Sequence, residues 1–394
     1  STCAPSRATI MSGQYTPKHR VLYVGPGTFQ EKWRAKNGNL KRFAMLQPRG
    51  ETELPAGVQT MAENLKDAGY RTGMFGKWHL GLRDQHPARR GFDIAIESHG
   101  KHFAFTTDPH VDHPDSQYLS DFLSDQAAEF IKQSNTGDEP FFLYYADFLV
   151  HKPFEAKADY LERFARKSPS QHQRSPIAGA MIKSLDDSVG KILAAIDDSV
   201  WRDNTLVVFT SDNGGLSYEE DGIREANTSN YPLRGRKGSE YDGGLRVPWI
   251  VRWPGRIPAN VTCDTPIHHI DLFPTFSALG QAAAPAQELH GVDLTSLLLD
   301  PRSQTPNRKL YWYLPGYSSF HTPSVMVRQG DWKLIRRLET PEFELYNTQR
   351  EIGEATDLGE NEPSRAADFN QAAIDWLDRL DAPRMVPNPE YDPR

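Results

Sequence analysis

Apolar runs too short for helices punctuate the chain at Tyr70–Phe75, Phe141–Tyr145, Leu206–Thr210 and Val247–Trp253, and longer amphipathic stretches separate them. Leu119, Phe122, Leu123, Ala127, Phe130 and Ile131 share one helical face, as do Met181, Leu185, Val189, Ile192 and Ile196. The run Thr205–Thr210 (TLVVFT) is apolar enough on both faces to suit a sheet covered on both sides. Strands of that kind alternating with helices predict an α/β domain with a mostly parallel sheet. The 394 residues exceed what one compact core usually serves, so a second unit is expected. The small-residue stretch Gln281–Gln287 precedes the change, and the reading divides the chain into residues 1–305 and a C-terminal α+β unit, residues 306–394. In that unit Ser324–Arg328 and Trp332–Arg337 flank a Gln-Gly-Asp turn as a hairpin, Phe343–Tyr346 adds a strand, and Ala366–Leu380 a closing helix.

Charge excludes some function classes. Lys and Arg total 45 against 52 for Asp and Glu, a formal charge of −7, so no overall basic field exists to hold nucleic acid, and an anionic substrate must be met locally. No run approaches the roughly 18 apolar residues of a membrane span. The chain opens on Ser1 and enters a motif at once, which reads as a processed or truncated piece. Two cysteines, Cys3 and Cys263, make no disulfide scaffold and leave a single bridge between them open.

Ligands in open α/β sheets bind beyond the carboxyl ends of the strands. Three such ends carry polar groups: Lys77 and His79 between Gly76 and Gly81; His151 before Lys152 and Pro153; and Asp212-Asn213 before Gly214 and Gly215. Asp212 and Asn213 offer hard oxygens suited to Ca²⁺ or Mg²⁺, although Asp-Asn-Gly taken by itself reads first as a favoured turn. Lys77, with His79, can hold an anionic ester and move protons; a lone lysine or histidine is usually just a surface residue. Lys237 lies in a basic, glycine-punctuated loop, Leu233–Gly238, which also reads as a solvated bend.

The stretch Cys3-Ala4-Pro5-Ser6-Arg7, continuing to Ser12-Gly13, matches the Cys-x-Pro-Ser-Arg signature of type I sulfatases. GKWHLG, VHKPF, TSDNGG, LRGRKGSEYDGGLRVP, HIDLFPTF and GDWKLI follow in that family's order, so the chain resembles the family over nearly its whole length. The resemblance implies an alkaline-phosphatase-like fold, a mixed sheet flanked by helices with a smaller C-terminal antiparallel sheet and helix. It also implies that Cys3 is converted to Cα-formylglycine by a formylglycine-generating enzyme and serves both as nucleophile and as a ligand of the metal. Arg7 would anchor that group, Lys77 and Lys237 would hold the sulfuryl oxygens, and His79 would take a proton from the second hydroxyl. His151 and Lys237 would contact sulfate and protonate the leaving oxygen, and Asp212 and Asn213 would bind Ca²⁺ in preference to Mg²⁺. The family's two further acidic ligands lie on a strand upstream of the cysteine motif, so residues 1–394 alone are expected to be inactive.

The implied substrate is a sulfated carbohydrate or an aryl sulfate, and the implied location is the periplasm or the cell exterior. Arg234, Arg236 and His321, with Trp312, Tyr313 and Tyr317, are candidates for lining a substrate cleft, and are equally packing residues. The cluster His99, His102, His110 and His113 reads as a solvated loop, because its spacing matches no tight tetrahedral site. Two alternatives remain: a phosphoester or phosphonate hydrolase of the same superfamily, and a catalytically inactive sulfatase-like binding protein.

Overall fold

The computed structural model describes residues 2–135, 138–216, 228–303, 307–318 and 321–393. Its strands are β1 (Met45–Leu46), β2 (Arg71–Gly76), β3 (Ile94–His99), β4 (Thr106–Asp108), β5 (Phe141–Ala146) and β6 (Val207–Thr210). They continue with β7 (Trp249–Arg252), β8 (Leu310–Leu314), β9 (Ser324–Gln329), β10 (Trp332–Arg337), β11 (Phe343–Asn347) and β12 (Val386–Pro387).

The first large sheet has the order β4-β3-β2-β5, with β2 parallel to both β3 and β5 and β4 antiparallel at the edge. Its alternating side chains feed two cores, as the pleat requires. Met74, Phe142 and Ala146 face the helices Cys3–Ser12, Met61–Asp67 and Leu272–Leu279 through Ala8, Met11, Leu65 and Phe273. Phe75 and Ile96 face the other way, onto Phe122, Phe130, Ile131, Ile192 and Ile196 of the helices Leu119–Ser134 and Pro176–Asp197. These are the two amphipathic faces read from the sequence.

The main sheet is mostly parallel, as expected, with β4 its antiparallel member. β6 pairs antiparallel with β7 as a separate ladder, and among the described residues neither β5 nor β6 has a strand on its other edge. The main layer is therefore mixed. β3 and β4, which the sequence did not announce, complete it.

The C-terminal sheet runs β11-β10-β9-β8, antiparallel throughout. One face, with Val325, Val327, Leu334 and Leu345, buries Phe369, Ala373, Trp376 and Leu377 of the helix Pro363–Arg379. The other face, with Met326, Ile335 and Tyr346, packs on Tyr241 and Leu245. That second contact places the small sheet directly behind the Lys237 loop. No helix among the described residues is long and apolar enough to cross a membrane.

Candidate active site

Cys3 opens a ten-residue helix, Cys3–Ser12, and is only 3% exposed. A helix N-terminus carries partial positive charge and favours an anionic nucleophile there. Lys237 adds a full charge, with its Nζ 2.8 Å from Cys3 Sγ. One turn along, Arg7 is also buried, and its Nε donates to Asp212 Oδ2 at 2.8 Å while Nη1 donates to the carbonyl of Lys77. Tyr144 on β5 lies 3.4 Å from Arg7 Nη1 through its hydroxyl.

Close backbone packing brings these loops together. A Cβ on Gly214 would sit 1.8 Å from the carbonyl oxygen of Gly243, so only glycine lets the Asp-Asn-Gly turn close on the Gly243-Gly244 segment. Lys237 N–H then donates to Gly215 O at 3.0 Å, which carries the lysine to Asp212 and Cys3. At the end of β2, Gly76 has φ +118°, and a Cβ there would lie 2.0 Å from Ala146 O. Lys77 and His79 leave the sheet from that point, His79 itself at φ 65°.

The electrostatics follow from burial and from the cations. Burial raises the Asp212 carboxyl, but Arg7, Lys237 and Lys77 outweigh it and hold it down at about 2. Burial opposes the Arg7 charge, and Tyr144, Asp212 and Cys3 more than offset it. Burial pushes Lys77 below the ordinary lysine value. Burial, then the charge of Lys77, pushes His79 down to about 4. Burial, then Lys237, does the same to His151, also to about 4. Both imidazoles are neutral at pH 7. His151 Nδ1 lies 2.8 Å from the carbonyl of Lys152, which can only accept, so Nδ1 carries the proton and Nε2 holds the lone pair.

Burial also lowers His19 to about 3 and His269 to about 4. Between about pH 6.5 and 4 the unfolded chain binds protons that the folded chain refuses, so folding stability falls as pH falls through that window. A lower urea midpoint at pH 5 than at pH 7 is expected, and an equal or higher one would contradict these assignments. Asp212, depressed, adds its own loss only below the ordinary carboxylate range.

The site's fit to a divalent cation is a match in kind. Asn213 Oδ1 is buried without a hydrogen-bond partner and stands next to the Asp212 carboxylate, which is a pair of hard-oxygen donors. No group of three or more His, Cys, Asp or Glu residues able to hold a metal is found among the described residues.

Cys3, Arg7, Lys77, Asp212 and Lys237 are thus joined by direct contacts, and His79 and His151 lie within their field. Of the substrate candidates, His321 faces Glu240 and the Gly238 backbone, beside Lys237. Arg234 lies 3.7 Å over the Tyr241 ring and donates to Glu354 O at 2.7 Å, yet remains exposed. Arg236 is 4% exposed, and His321 Nδ1 is 2.7 Å from Ser318 Oγ. Trp312 and Tyr313 belong to β8, where Tyr313 is buried in the core. A hollow of about 960 Å³ runs along β7, lined by Trp249, Ile250, Trp253 and Trp312, and includes none of Cys3, Lys77, His79, His151 or Lys237.

Two further readings are corrected. Cys3 and Cys263 are both free thiols, one buried and one exposed, so no bridge removes the thiol of Cys3. His102 is not solvated: it is fully buried between Tyr118 and Phe148, and His113 stacks on Phe105 at 3.7 Å. Tyr144, which meets Arg7, went unnoticed within the apolar run Phe141–Tyr145. Its only signal was a hydroxyl on the face whose neighbours Phe142 and Ala146 point at the cysteine helix.

A buried thiol at a helix N-terminus in contact with a lysine, near Arg7, an acid-amide pair and two neutral imidazoles, is an arrangement suited to a tetrahedral anionic ester. Comparison with known proteins gives the family. The Sulfatase family model matches residues 1–282, and the model for the N-sulphoglucosamine sulphohydrolase C-terminal region matches residues 236–371. A "Sulfatase" of Formosa agariphila is 29% identical over 99% of this chain and 83% of its own length. The N-acetylgalactosamine-6-sulfatase of Canis lupus familiaris is 30% identical over 79% of this chain and 59% of its own. Human arylsulfatase G is 29% identical over 79% of this chain, and this chain spans 62% of its length. Among solved structures, Ps i-CgsB in complex with k-i-k-neocarrahexaose matches with TM-score 0.79 and 25% identity over 95% of this chain and 82% of that one. The chain belongs to the sulfatase family.

Proposed function

We propose that this protein hydrolyses sulfuric esters of a carbohydrate, with Cys3 as the nucleophilic position. The contact between Lys237 Nζ and Cys3 Sγ at 2.8 Å carries the reading, because it sets a cation against the position that the attacking oxygen would take once the sulfur has been replaced. A relative named N-acetylgalactosamine-6-sulfatase and a structural neighbour solved with k-i-k-neocarrahexaose support the carbohydrate. Substrates of that kind are met outside the cytoplasm, so export to the periplasm or exterior belongs to the same reading.

Converted to formylglycine by a maturation enzyme, Cys3 supplies a geminal diol, one hydroxyl to attack sulfur and a second whose deprotonation lets sulfate be expelled. The Sγ position marks where the attacking oxygen stands. Lys237 and Lys77 take the charge on the sulfuryl oxygens, from positions fixed before the substrate arrives. Arg7 holds Asp212 by its side chain and the Lys77 loop by its carbonyl contact, so the cations do not move as charge develops. His79, neutral at pH 7, accepts the proton of the second hydroxyl. Nε2 of His151 takes up a proton when the sulfate anion raises its affinity and returns that proton, as Lys237 also can, to the leaving oxygen. Asp212 Oδ1 and Asn213 Oδ1 would hold Ca²⁺, which supplies Lewis-acid stabilisation of the sulfuryl oxygens.

Protein recovered from its native host should release alcohol from an aryl sulfate faster than from the matching aryl phosphate, and its Cys3 peptide should show an aldehyde by mass analysis. An intact thiol in every active molecule would end the reading. Chelation should lower the melting temperature of the wild type and leave an Asp212→Asn/Asn213→Ala variant unmoved; equal shifts in both would place the ion elsewhere.

A further inference from the structure

His102 touches none of the reacting groups, yet it is the residue on which the His151 loop rests. It follows β3 by three positions and is fully buried. Its Nε2 lies 2.8 Å from the main-chain carbonyl oxygen of His151, an atom that can only accept, so Nε2 carries the proton. Its own N–H donates to Glu155 Oε2 at 3.1 Å, and its carbonyl accepts from Leu119 N–H at 2.8 Å, which anchors it to the start of the helix Leu119–Ser134. The ring lies between Tyr118, near-parallel at 5.6 Å, and Phe148 at 5.1 Å, and Phe148 in turn meets the His151 ring at 4.9 Å. Tyr118 closes the frame by donating its hydroxyl to Glu155 O at 2.8 Å.

His151 has little else to fix it. Its N–H bonds to Phe148 O and its Nδ1 to Lys152 O, both within the same loop. The bond from His102 Nε2 therefore ties the His151 main chain to an element outside that loop. A hydrogen bond between neutral groups adds little to stability, but a reacting group displaced by about 1 Å can lose roughly a hundredfold in rate.

We propose that His102 is a positioning residue: through the His151 carbonyl it sets where the imidazole of His151 stands relative to the leaving oxygen of the sulfate ester. The inference rests on the proposed role of His151 as the proton donor. That role matters most for an alkoxide leaving group, which must be protonated as the S–O bond breaks, and least for a nitrophenolate, which leaves without a proton.

The test is a leaving-group comparison in the full-length, formylglycine-bearing protein. His102→Leu keeps the apolar packing and removes the donor; His102→Gln keeps an amide donor at the reach of Nε2; His102→Asn carries an amide one bond too short. For a sulfated monosaccharide, His102→Leu and His102→Asn should lower kcat by about 10- to 100-fold with KM little changed. For 4-nitrophenyl sulfate they should lose less than roughly threefold, and His102→Gln should recover most of the loss. Equal losses on both esters, or no loss on either, would overturn the proposal. If the leucine variant fails to fold, the asparagine and glutamine pair decides it by the same criterion. Wild-type protein that turns over neither ester would sink the functional reading first, and this inference with it.

Discussion

Cys3→Ala reduces sulfate-ester turnover to background, a loss on the order of 10⁴- to 10⁶-fold, while the thermal transition stays within about 2 °C of wild type. The size follows from chemistry, because no other described side chain brings a nucleophilic atom into the Lys237 contact. Stability is spared for local reasons. Alanine is the best helix former, the position opens a helix, and the lost sulfur atom leaves Arg7, Asp212 and their contacts in place. Cys3→Ser gives a sharper diagnosis. A serine oxygen can attack sulfur and release one equivalent of alcohol, but without a second hydroxyl on the same carbon it cannot collapse and expel sulfate. A burst of about one equivalent followed by silence is expected. Steady turnover by the serine variant, or appreciable activity in the alanine variant, would show that the bond is broken by something other than the residue-3 side chain.

The three strand-end loops were legible because each has a local cause, whereas the helix Cys3–Ser12 was not read from the sequence, where the stretch showed only as a motif. An apolar run that ends on a polar group is what a buried strand leaving the sheet looks like, and β2, β5 and β6 all read that way, β2 and β6 with glycine at the exit as well. β3 did not, because Ile94–His99 carries Glu97, Ser98 and His99, and residues of that kind argue against a strand unless their burial is already known. β8 was legible as aromatic but not as strand. Trp312 and Tyr313 were candidates for a cleft, and only the pairing of Leu310–Leu314 with β9 shows that Tyr313 packs in the core while Trp312 lines the hollow along β7. His102 failed for a similar reason: a histidine in a polar stretch reads as solvated until Tyr118 and Phe148 close over it from distant parts of the chain. The approach of Gly214 to Gly243 was also out of reach, since two glycines 29 positions apart announce a turn each and nothing of their contact.

Lys333→Met should destabilise the protein by about 3–5 kcal/mol, the cost of stripping one partner from a buried ion cluster. Lys333 lies on β10 with a side chain only 1% exposed, and its Nζ is 2.7 Å from Asp242 Oδ1 and 2.6 Å from Glu354 Oε1. Arg328 reaches the other oxygen of Asp242 at 3.2 Å, and Glu354 Oε2 accepts from Asp242 N–H at 2.6 Å. Burial acts against the Asp242 charge, and Lys333 and Arg328 outweigh it, so this carboxyl is held below its ordinary value and stabilises the fold until pH falls beneath that range. Glu354 goes the other way, because its own burial outweighs the attraction of Lys333. Without the lysine the two acids share one arginine, and Glu354 takes up a proton or the contact opens. Lys333→Met/Glu354→Gln should therefore lose less than Lys333→Met alone, since the amide oxygen still accepts from Asp242 N–H and the second charge is gone. Urea midpoints at pH 7 for the two singles and the double measure that coupling. Strict additivity, or a single-variant loss under about 1 kcal/mol, would mean that the cluster is solvated. The cluster also has a functional side. Asp242 opens the short helix Asp242–Leu245, whose Gly243 N–H donates to Arg234 O at 2.7 Å and whose Gly244 carbonyl accepts from Gly214 N–H at 3.2 Å. The charge that anchors the C-terminal sheet is therefore two hydrogen bonds away from both the Lys237 loop and the Asp212-Asn213 turn, so loosening it should raise KM and lower kcat together.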